Sequence, residues 1–174
     1  MTGRVARSSL PRARKRFGQH FLEPAWVTKL VDSLDLQPTD RFIEIGPGRG
    51  ALTRPVADKV AELVAVELDR DLAAHLAATL APRVRVVAAD FLEVDVPSLV
   101  TPPDSGPVRV VGNLPYNISA PILFKLFAAS AGGQVLSDAT VMLQKEVADR
   151  LLAAPNTAEY GVLSVYAALY ADTT

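Results

Sequence analysis

A short polar turn, Asn113-Leu-Pro-Tyr116, combines residue types that can hold the amino group of an aromatic ring. The lone pair of an exocyclic amine such as adenine N6 is delocalised into the ring, so the amine is a poor nucleophile until acceptors fix its geometry. The side-chain oxygen of Asn113 and the backbone carbonyl of Leu114 can be those acceptors. Pro115 stiffens the turn, and the ring of Tyr116 can stack on a flipped-out base, which is worth about 1–3 kcal/mol. The pattern predicts methyl transfer that depends on positioning and preorganised dipoles, although a structural proline turn with a buried tyrosine would have the same sequence.

A methyl donor needs its own pocket, and a glycine-rich segment upstream can form one. The segment Glu44-Ile-Gly-Pro-Gly-Arg-Gly50 follows a short apolar run, and glycines let the backbone turn tightly and approach a ligand. Its glycines have the spacing G-x-G-x-G, which differs from the G-x-G-x-x-G of dinucleotide sites and from the phosphate-binding P-loop. This favours a nucleoside-like ligand without a pyrophosphate, such as S-adenosylmethionine (SAM), over a purely structural turn.

Two carboxylates follow at the ends of the next predicted strands. Glu67, which lies 21 residues after Gly46, can accept hydrogen bonds from both hydroxyls of a ribose. Asp90 can accept the adenine amino group of the cofactor, with Phe91 packed on the ring. Each acid also has a plain structural alternative, as a charged strand end or as a turn cap. With two histidines and no cysteine, we expect no metal site.

Alternating strand and helix patterns predict the scaffold that brings these residues together. Pro24 begins a helix whose apolar residues recur with helical spacing to Leu34. Residues 97–107 are predicted to be a proline-rich loop, and 160–170 are ambiguous between helix and strand. This alternation is typical of an α/β doubly wound sheet. The predicted strands are 41–45, 63–67, 84–88, 108–112 and 139–143, and the later helices are 71–80, 120–129 and 145–153.

Charge is unevenly distributed along the 174 residues. Residues 1–16 contain six basic side chains and no acid, so the other 12 basic and 19 acidic side chains give the remainder a net charge of −7. This basic flexible leader can bind phosphates, or it can be a solvated leader or a transit peptide. No apolar run is long enough to span a membrane and no signal peptide is visible. The absence of cysteine fits a cytoplasmic protein.

Six segments occur together in the order that is typical of one family of RNA-modifying enzymes. They resemble the ribosomal RNA adenine dimethyltransferases, most closely the small-subunit, KsgA-type branch, over about residues 15–170. Related enzymes of the macrolide-resistance type, which methylate large-subunit 23S rRNA, tend to have Ile in place of Leu114 and lack the Asn117-Ile-Ser119 that follows here. The segments are Gln19-His-Phe-Leu22, Glu44-Ile-Gly-Pro-Gly48, Glu67, Asp90-Phe91, Asn113-Leu-Pro-Tyr-Asn-Ile-Ser119 and Gln144-Lys-Glu-Val-Ala-Asp-Arg150.

The resemblance implies a Rossmann-like SAM-dependent methyltransferase fold with a mainly parallel sheet. It implies N6,N6-dimethylation of two adjacent adenosines near the 3′ end of 16S rRNA, in an assembling 30S particle and with SAM as cofactor. The catalytic turn would consist of Asn113, Leu114, Pro115 and Tyr116. The cofactor-binding residues would be His20, Leu22, Gly46, Gly48, Glu67, Asp90, Phe91 and Asn113.

The resemblance also predicts what this sequence lacks. We expect residues 17–174 to be the catalytic domain of a monomer that is truncated at its C-terminus. The further strands, a base-stacking phenylalanine and the helical RNA-binding domain of the family are absent, which would leave the fifth strand as an exposed edge. We therefore expect SAM binding to survive better than RNA binding or activity on the ribosome.

Two other functions fit the sequence less well. A non-catalytic RNA-binding assembly factor would not need all four positions of the catalytic turn. A nicotinamide-dependent dehydrogenase would need a different glycine spacing and a Tyr-x-x-x-Lys pair, which does not follow the fourth strand.

Overall fold

The computed structural model describes residues 23–99, 106–131 and 135–173. Five parallel strands form one sheet in the spatial order β3-β2-β1-β4-β5. The strands are β1 (Arg41–Ile45), β2 (Glu62–Glu67), β3 (Val84–Ala88), β4 (Val108–Asn113) and β5 (Leu136–Met142). The helices are α1 (Pro24–Ser33), α2 (Thr53–Ala57), α3 (Arg70–Leu80), α4 (Ser119–Ser130), α5 (Lys145–Leu151) and α6 (Val162–Tyr170), with a short 3-10 helix at Pro97–Leu99.

Helices cover both faces of the sheet, so its central strands are buried. One face packs under α1 and α2 through the side chains of Leu34, Phe42 and Val56. The other face packs under α4 and α6 through Ile43, Val110 and Ile122, among others. Burial on both faces explains why the central strands are nearly continuous runs of apolar residues.

The strand order reverses between β1 and β4, which creates a crevice at the carboxyl ends of these two strands. Ile45 is paired both with Val66 of β2 and with Gly112 of β4. The loops that leave β1, β2 and β4 therefore begin side by side. In open α/β sheets, this reversal point is where ligands bind.

Close backbone contact at this crevice depends on Gly112. A Cβ atom at this position would lie 2.7 Å from the carbonyl oxygen of Ile45, which is shorter than van der Waals contact allows. Only glycine lets β4 approach β1 this closely at the point where the next residue, Asn113, leaves the sheet.

The structure confirms the predicted α/β sheet and resolves its uncertain segments. The ambiguous stretch 160–170 is helical from Val162 to Tyr170. The fifth strand begins at Leu136, three residues before the predicted start at 139. The predicted loop at 97–107 contains the 3-10 turn and ends where β4 begins, at Val108. Within the described ranges, no helix has both the length and the apolar character needed to cross a bilayer.

Candidate active site

The glycine segment turns sharply out of β1 and leaves open space above it. Gly46 has a φ of +67° and Gly48 a φ of +60°, a region that side chains with a Cβ rarely adopt. A Cβ built on Gly46 would have no heavy atom within 4 Å, whereas one on Gly50 would lie 2.8 Å from Leu76 Cδ2. The first glycines therefore permit the turn and an approaching ligand, and Gly50 permits close packing against α3.

Glu67 ends β2 and connects the glycine segment to the start of α3. Its Oε2 accepts a hydrogen bond from the Gly48 N–H at 2.9 Å, and its Oε1 accepts one from the Asp69 N–H at 2.8 Å. The residue is buried, and burial raises the pKa of its carboxyl in spite of these two donors. Each carboxylate oxygen has a further lone pair, so the side chain can hold the glycine segment and still accept a ligand hydroxyl.

Asp90 lies two residues beyond the end of β3, within reach of the same crevice. Its Oδ1 accepts a hydrogen bond from the Leu92 N–H at 2.9 Å, which makes the local turn that the plain alternative predicted. Its Oδ2 takes no hydrogen bond from any residue that the structure describes. One carboxylate can thus cap the turn and present an acceptor to a ligand.

Phe91 lies on the core side of this turn. Only 5% of its surface is exposed, and the Lys125 ammonium lies 5.5 Å from the centre of its ring. Most of the ring is therefore covered by protein, which leaves little surface for stacking on an adenine. Its contact with the cofactor stays a prediction.

The predicted catalytic turn follows β4 directly. Asn113 is the last residue of that strand, and its partner in the register is Met142 of β5. The Leu114 N–H donates to the Met142 carbonyl at 3.2 Å, while the Leu114 carbonyl accepts no hydrogen bond from the described residues. Tyr116 is 39% exposed, so part of its ring is accessible to a base, unlike the buried tyrosine of the structural alternative.

Glu44 is a buried acid that the sequence analysis treated only as part of the glycine motif. It is the fourth of the five residues of β1, its Oε2 has no hydrogen-bond partner within the described structure, and it packs beside Thr53. Burial, reinforced by the charge of Glu67, raises the pKa of Glu44 to about 8. An acid inside an otherwise apolar strand is the sequence signal that could have identified it.

The raised pKa makes Glu44 a source of pH-dependent stability. Its carboxyl ionises near 4.5 when unfolded but near 8 when folded, so the folded state holds the extra proton between these values. The free energy of unfolding therefore falls as pH rises through this window, by up to about 1.4 kcal/mol per pH unit. A neutral side chain at this position would remove that loss.

The sheet brings the cofactor and catalytic candidates to one edge. Gly46, Glu67 and Asn113 lie at the ends of three adjacent strands, and Asp90 follows the neighbouring strand β3. His20, Leu22 and the basic leader lie outside the described residues. Across the part of the chain that the structure describes, no cluster of acids and histidines is arranged to hold a metal ion.

Comparison with known proteins places this chain in a known family. The sequence profile of the family described as ribosomal RNA adenine dimethylase matches residues 11–174. A curated relative, the ribosomal RNA small subunit methyltransferase A of Albidiferax ferrireducens, is 49% identical over 154 residues, which cover 88% of this chain and 57% of that protein. The chain therefore spans little more than half the length of this relative.

Solved structures agree on the fold. A dimethyladenosine transferase from Plasmodium falciparum superimposes with a TM-score of 0.69 at 23% identity, over 84% of this chain and 51% of that one. The 23S rRNA methyltransferase ErmE gives a TM-score of 0.64 at 29% identity, over 82% and 53%. An RNA methyltransferase from Salinibacter ruber, solved with S-adenosyl-L-homocysteine (SAH), gives 0.56 at 19% identity, over 79% and 84%.

Proposed function

Because the chain belongs to the ribosomal RNA adenine dimethylase family, whose members are SAM-dependent methyltransferases, we propose that it carries the cofactor-binding and catalytic part of such an enzyme. Its substrate would be the N6 amine of adenosine in ribosomal RNA. The observation that carries this proposal is the alignment of the glycine segment, Glu67 and the turn at Asn113 at the ends of adjacent strands.

The residues of the crevice fit SAM. The open space above Gly46 accommodates the backbone approach of a ligand, and Glu67 lies where a ribose diol can donate to it. The second carboxylate oxygen of Asp90, which accepts no hydrogen bond from the described residues, suits the adenine amino group. When bound, SAM supplies a methyl group on a positively charged sulfur, which is electrophilic without further activation. The acidic lining of the pocket, with Glu67 and Asp90, favours this cationic ligand.

The turn after β4 positions the nucleophile. The Leu114 carbonyl and the Asn113 side-chain oxygen would accept the two hydrogens of the adenine amine, which turns its lone pair toward the cofactor. The bond from the Leu114 N–H to Met142 fixes this turn on the sheet before substrate arrives. The exposed ring of Tyr116 would support the base. As the bond from N6 to the methyl carbon formed and the bond from that carbon to sulfur broke, positive charge would develop on N6 and both acceptors would stabilise it. SAH would leave as the product, and the methylated amine would lose one proton to water.

Small-subunit rRNA is the substrate that we favour, with dimethylation of two adjacent adenosines near the 3′ end of 16S rRNA in an assembling 30S particle. One support is the 49% identity to a protein named for the small subunit. The other is the presence of Leu114 and Asn117-Ile-Ser119, which enzymes of the macrolide-resistance type tend to lack. The alternative is 23S rRNA, on which ErmE acts by its name, and it is supported by 29% identity. Both substrates are consistent with a protein that acts in the cytoplasm. The leader, residues 1–16, would contribute sequence-independent contacts to phosphates.

A methylation assay tests the proposal. The chain is incubated with labelled SAM and small-subunit particles from cells that lack the dimethylation, both alone and joined to the C-terminal portion of the Albidiferax relative. Large-subunit particles and an Asn113→Ala variant serve as controls. We expect label on two adjacent adenosines near the 3′ end of the small-subunit RNA, with the joined protein the more active. Label confined to large-subunit RNA would support the alternative, and no label from either protein would contradict both.

A further inference from the structure

A lysine on α4 makes a specific contact with the turn that contains Asp90. The Lys125 ammonium donates to the Leu92 carbonyl at 2.7 Å, and it lies 5.5 Å from the centre of the Phe91 ring. The side chain is half-buried at the border of the apolar face that α4 packs on the sheet. A lysine placed among buried apolar side chains loses hydration, and this carbonyl and this ring replace it.

The same turn orients the carboxylate of Asp90. The Leu92 N–H donates to Asp90 Oδ1 at 2.9 Å, and the Glu93 N–H donates to the Asp90 carbonyl at 3.0 Å. Leu92 is therefore held from both sides, through its N–H by Asp90 and through its carbonyl by Lys125. A shift of the Leu92 backbone would rotate the Asp90 side chain and move Oδ2, the oxygen that accepts no hydrogen bond from the described residues.

The N-terminal end of α4, the helix that carries Lys125, follows the catalytic turn. This helix begins at Ser119, only three residues after Tyr116, and the Ser119 hydroxyl donates to the Tyr116 carbonyl at 3.4 Å. Lys125 thus connects the helix that supports the substrate side of the crevice to the loop that supports its cofactor side. A lysine needed only for solubility would not be directed at a backbone carbonyl in this way.

From this geometry we propose that Lys125 is a positioning residue that sets the adenine specificity of the cofactor pocket by holding the Asp90 turn against α4. The proposal rests on the proposed function, since it takes the ligand of Asp90 to be the adenine amino group of SAM. Lys125 does not touch the cofactor itself; it acts through Leu92 and Asp90. Loss of the Lys125 side chain should therefore weaken recognition of the adenine amino group and leave the contacts with the rest of the ligand unchanged.

Binding measurements with two ligands isolate this effect. Calorimetry gives the dissociation constants of SAH and of its analogue without the 6-amino group, for wild type, Lys125→Met and Lys125→Arg. Lys29→Met is the matched control, because Lys29 also lies over an aromatic ring, 4.5 Å from the centre of Trp26, but on α1. Thermal melting checks that every variant is folded at the assay temperature.

We expect wild type and Lys29→Met to bind SAH about tenfold more tightly than the analogue, the value of one hydrogen bond. Lys125→Met should reduce this ratio to less than about threefold while binding the analogue as wild type does, and Lys125→Arg should restore most of the ratio. If Lys125 had a purely structural role, Lys125→Met would weaken the binding of both ligands equally and leave the ratio of their dissociation constants unchanged.

The outcomes separate this proposal from the proposed function. If wild type does not bind SAH, the proposed function fails. If wild type binds SAH and discriminates, but Lys125→Met discriminates equally well, the role of Lys125 is wrong and the function stands. Binding of SAH by wild type without discrimination would overturn the adenine contact of Asp90 and the role of Lys125 together. Should Lys125→Met melt too early, Lys125→Gln, whose side chain is uncharged and one atom shorter than that of lysine, replaces it under the same criteria.

Discussion

Replacement of Glu67 by alanine should weaken cofactor binding far more than it weakens the fold. The buried carboxylate accepts hydrogen bonds from the backbone N–H of Gly48 at 2.9 Å and from that of Asp69 at 2.8 Å, and we propose that it also binds the ribose of the cofactor. A ribose diol would add two hydrogen bonds to a charged acceptor, each worth about 1.5 kcal/mol or more. Their loss amounts to about 3 kcal/mol, or on the order of 150-fold in Kd.

The effect on the fold should be smaller because two contributions oppose each other. The variant loses the bonds to Gly48 and Asp69, but it also removes a carboxylate whose raised pKa shows that burial disfavours its charge. We therefore expect the free energy of unfolding to fall by less than the two lost backbone bonds alone would suggest.

Calorimetric titration with SAH measures the loss of affinity, and thermal melting measures the change in stability. Glu62→Ala is the matched control, since Glu62 begins the same strand and is bonded to Arg41 at 2.7 Å, at the opposite edge of the sheet from the crevice. An SAH analogue without the two ribose hydroxyls should bind wild type and Glu67→Ala with similar, weak affinity. A folded Glu67→Ala protein that binds SAH as tightly as wild type would refute the ribose contact.

Variants at three single residues and in the basic leader test the other proposed roles. Asn113→Ala should abolish methyl transfer while RNA affinity in filter binding stays largely intact, and near-normal turnover would remove Asn113 from its role. Tyr116→Ala should cost about 1–3 kcal/mol in kcat/KM through lost stacking, and Tyr116→Phe should cost little; equal losses would contradict stacking. Burial raises the pKa of Glu44 to about 8, so Glu44→Gln should raise the melting temperature at pH 8. The melting temperature of this variant should also fall less between pH 5 and 8 than that of wild type. An equal fall in both proteins would show that groups other than Glu44 cause it. Neutralising the six basic residues of positions 1–16 should lower RNA affinity and its salt dependence, and an unaffected slope would show that this segment does not bind phosphates.

Much of the fold was predictable because the sheet is buried on both faces. Strands such as β1 and β4 must be apolar at most of their positions, so their sequences are distinctive and their predicted bounds differ from the structure by no more than one residue. The edge strand β5 was harder, since its first residues, Leu136-Ser-Asp, include polar side chains in a position that does not require burial. The run at 162–170 has apolar residues at buried positions such as Leu163 and Ala167 and also at exposed positions such as Val162 and Leu169, so no helical period was visible in it.

The site was predictable at the level of strand ends but not of contacts. A glycine segment and acids at the ends of parallel strands indicate a crevice, and the strand order confirms that they meet. The bond between Glu67 and Gly48 was not predictable, because it depends on how two loops pack. The contact of Lys125 with Leu92 joins residues 33 apart and leaves no pattern in the sequence except a lysine within an apolar helix.

The measurement that tests the central claim most directly is a crystal structure of the chain with bound SAH. The account predicts the ribose on Glu67, the adenine beside Asp90, and the sulfur next to Asn113, where the amine of a target adenosine would be in line with a methyl group. A cofactor bound away from the carboxyl ends of β1, β2 and β4, or one whose sulfur faces away from Asn113, would contradict it.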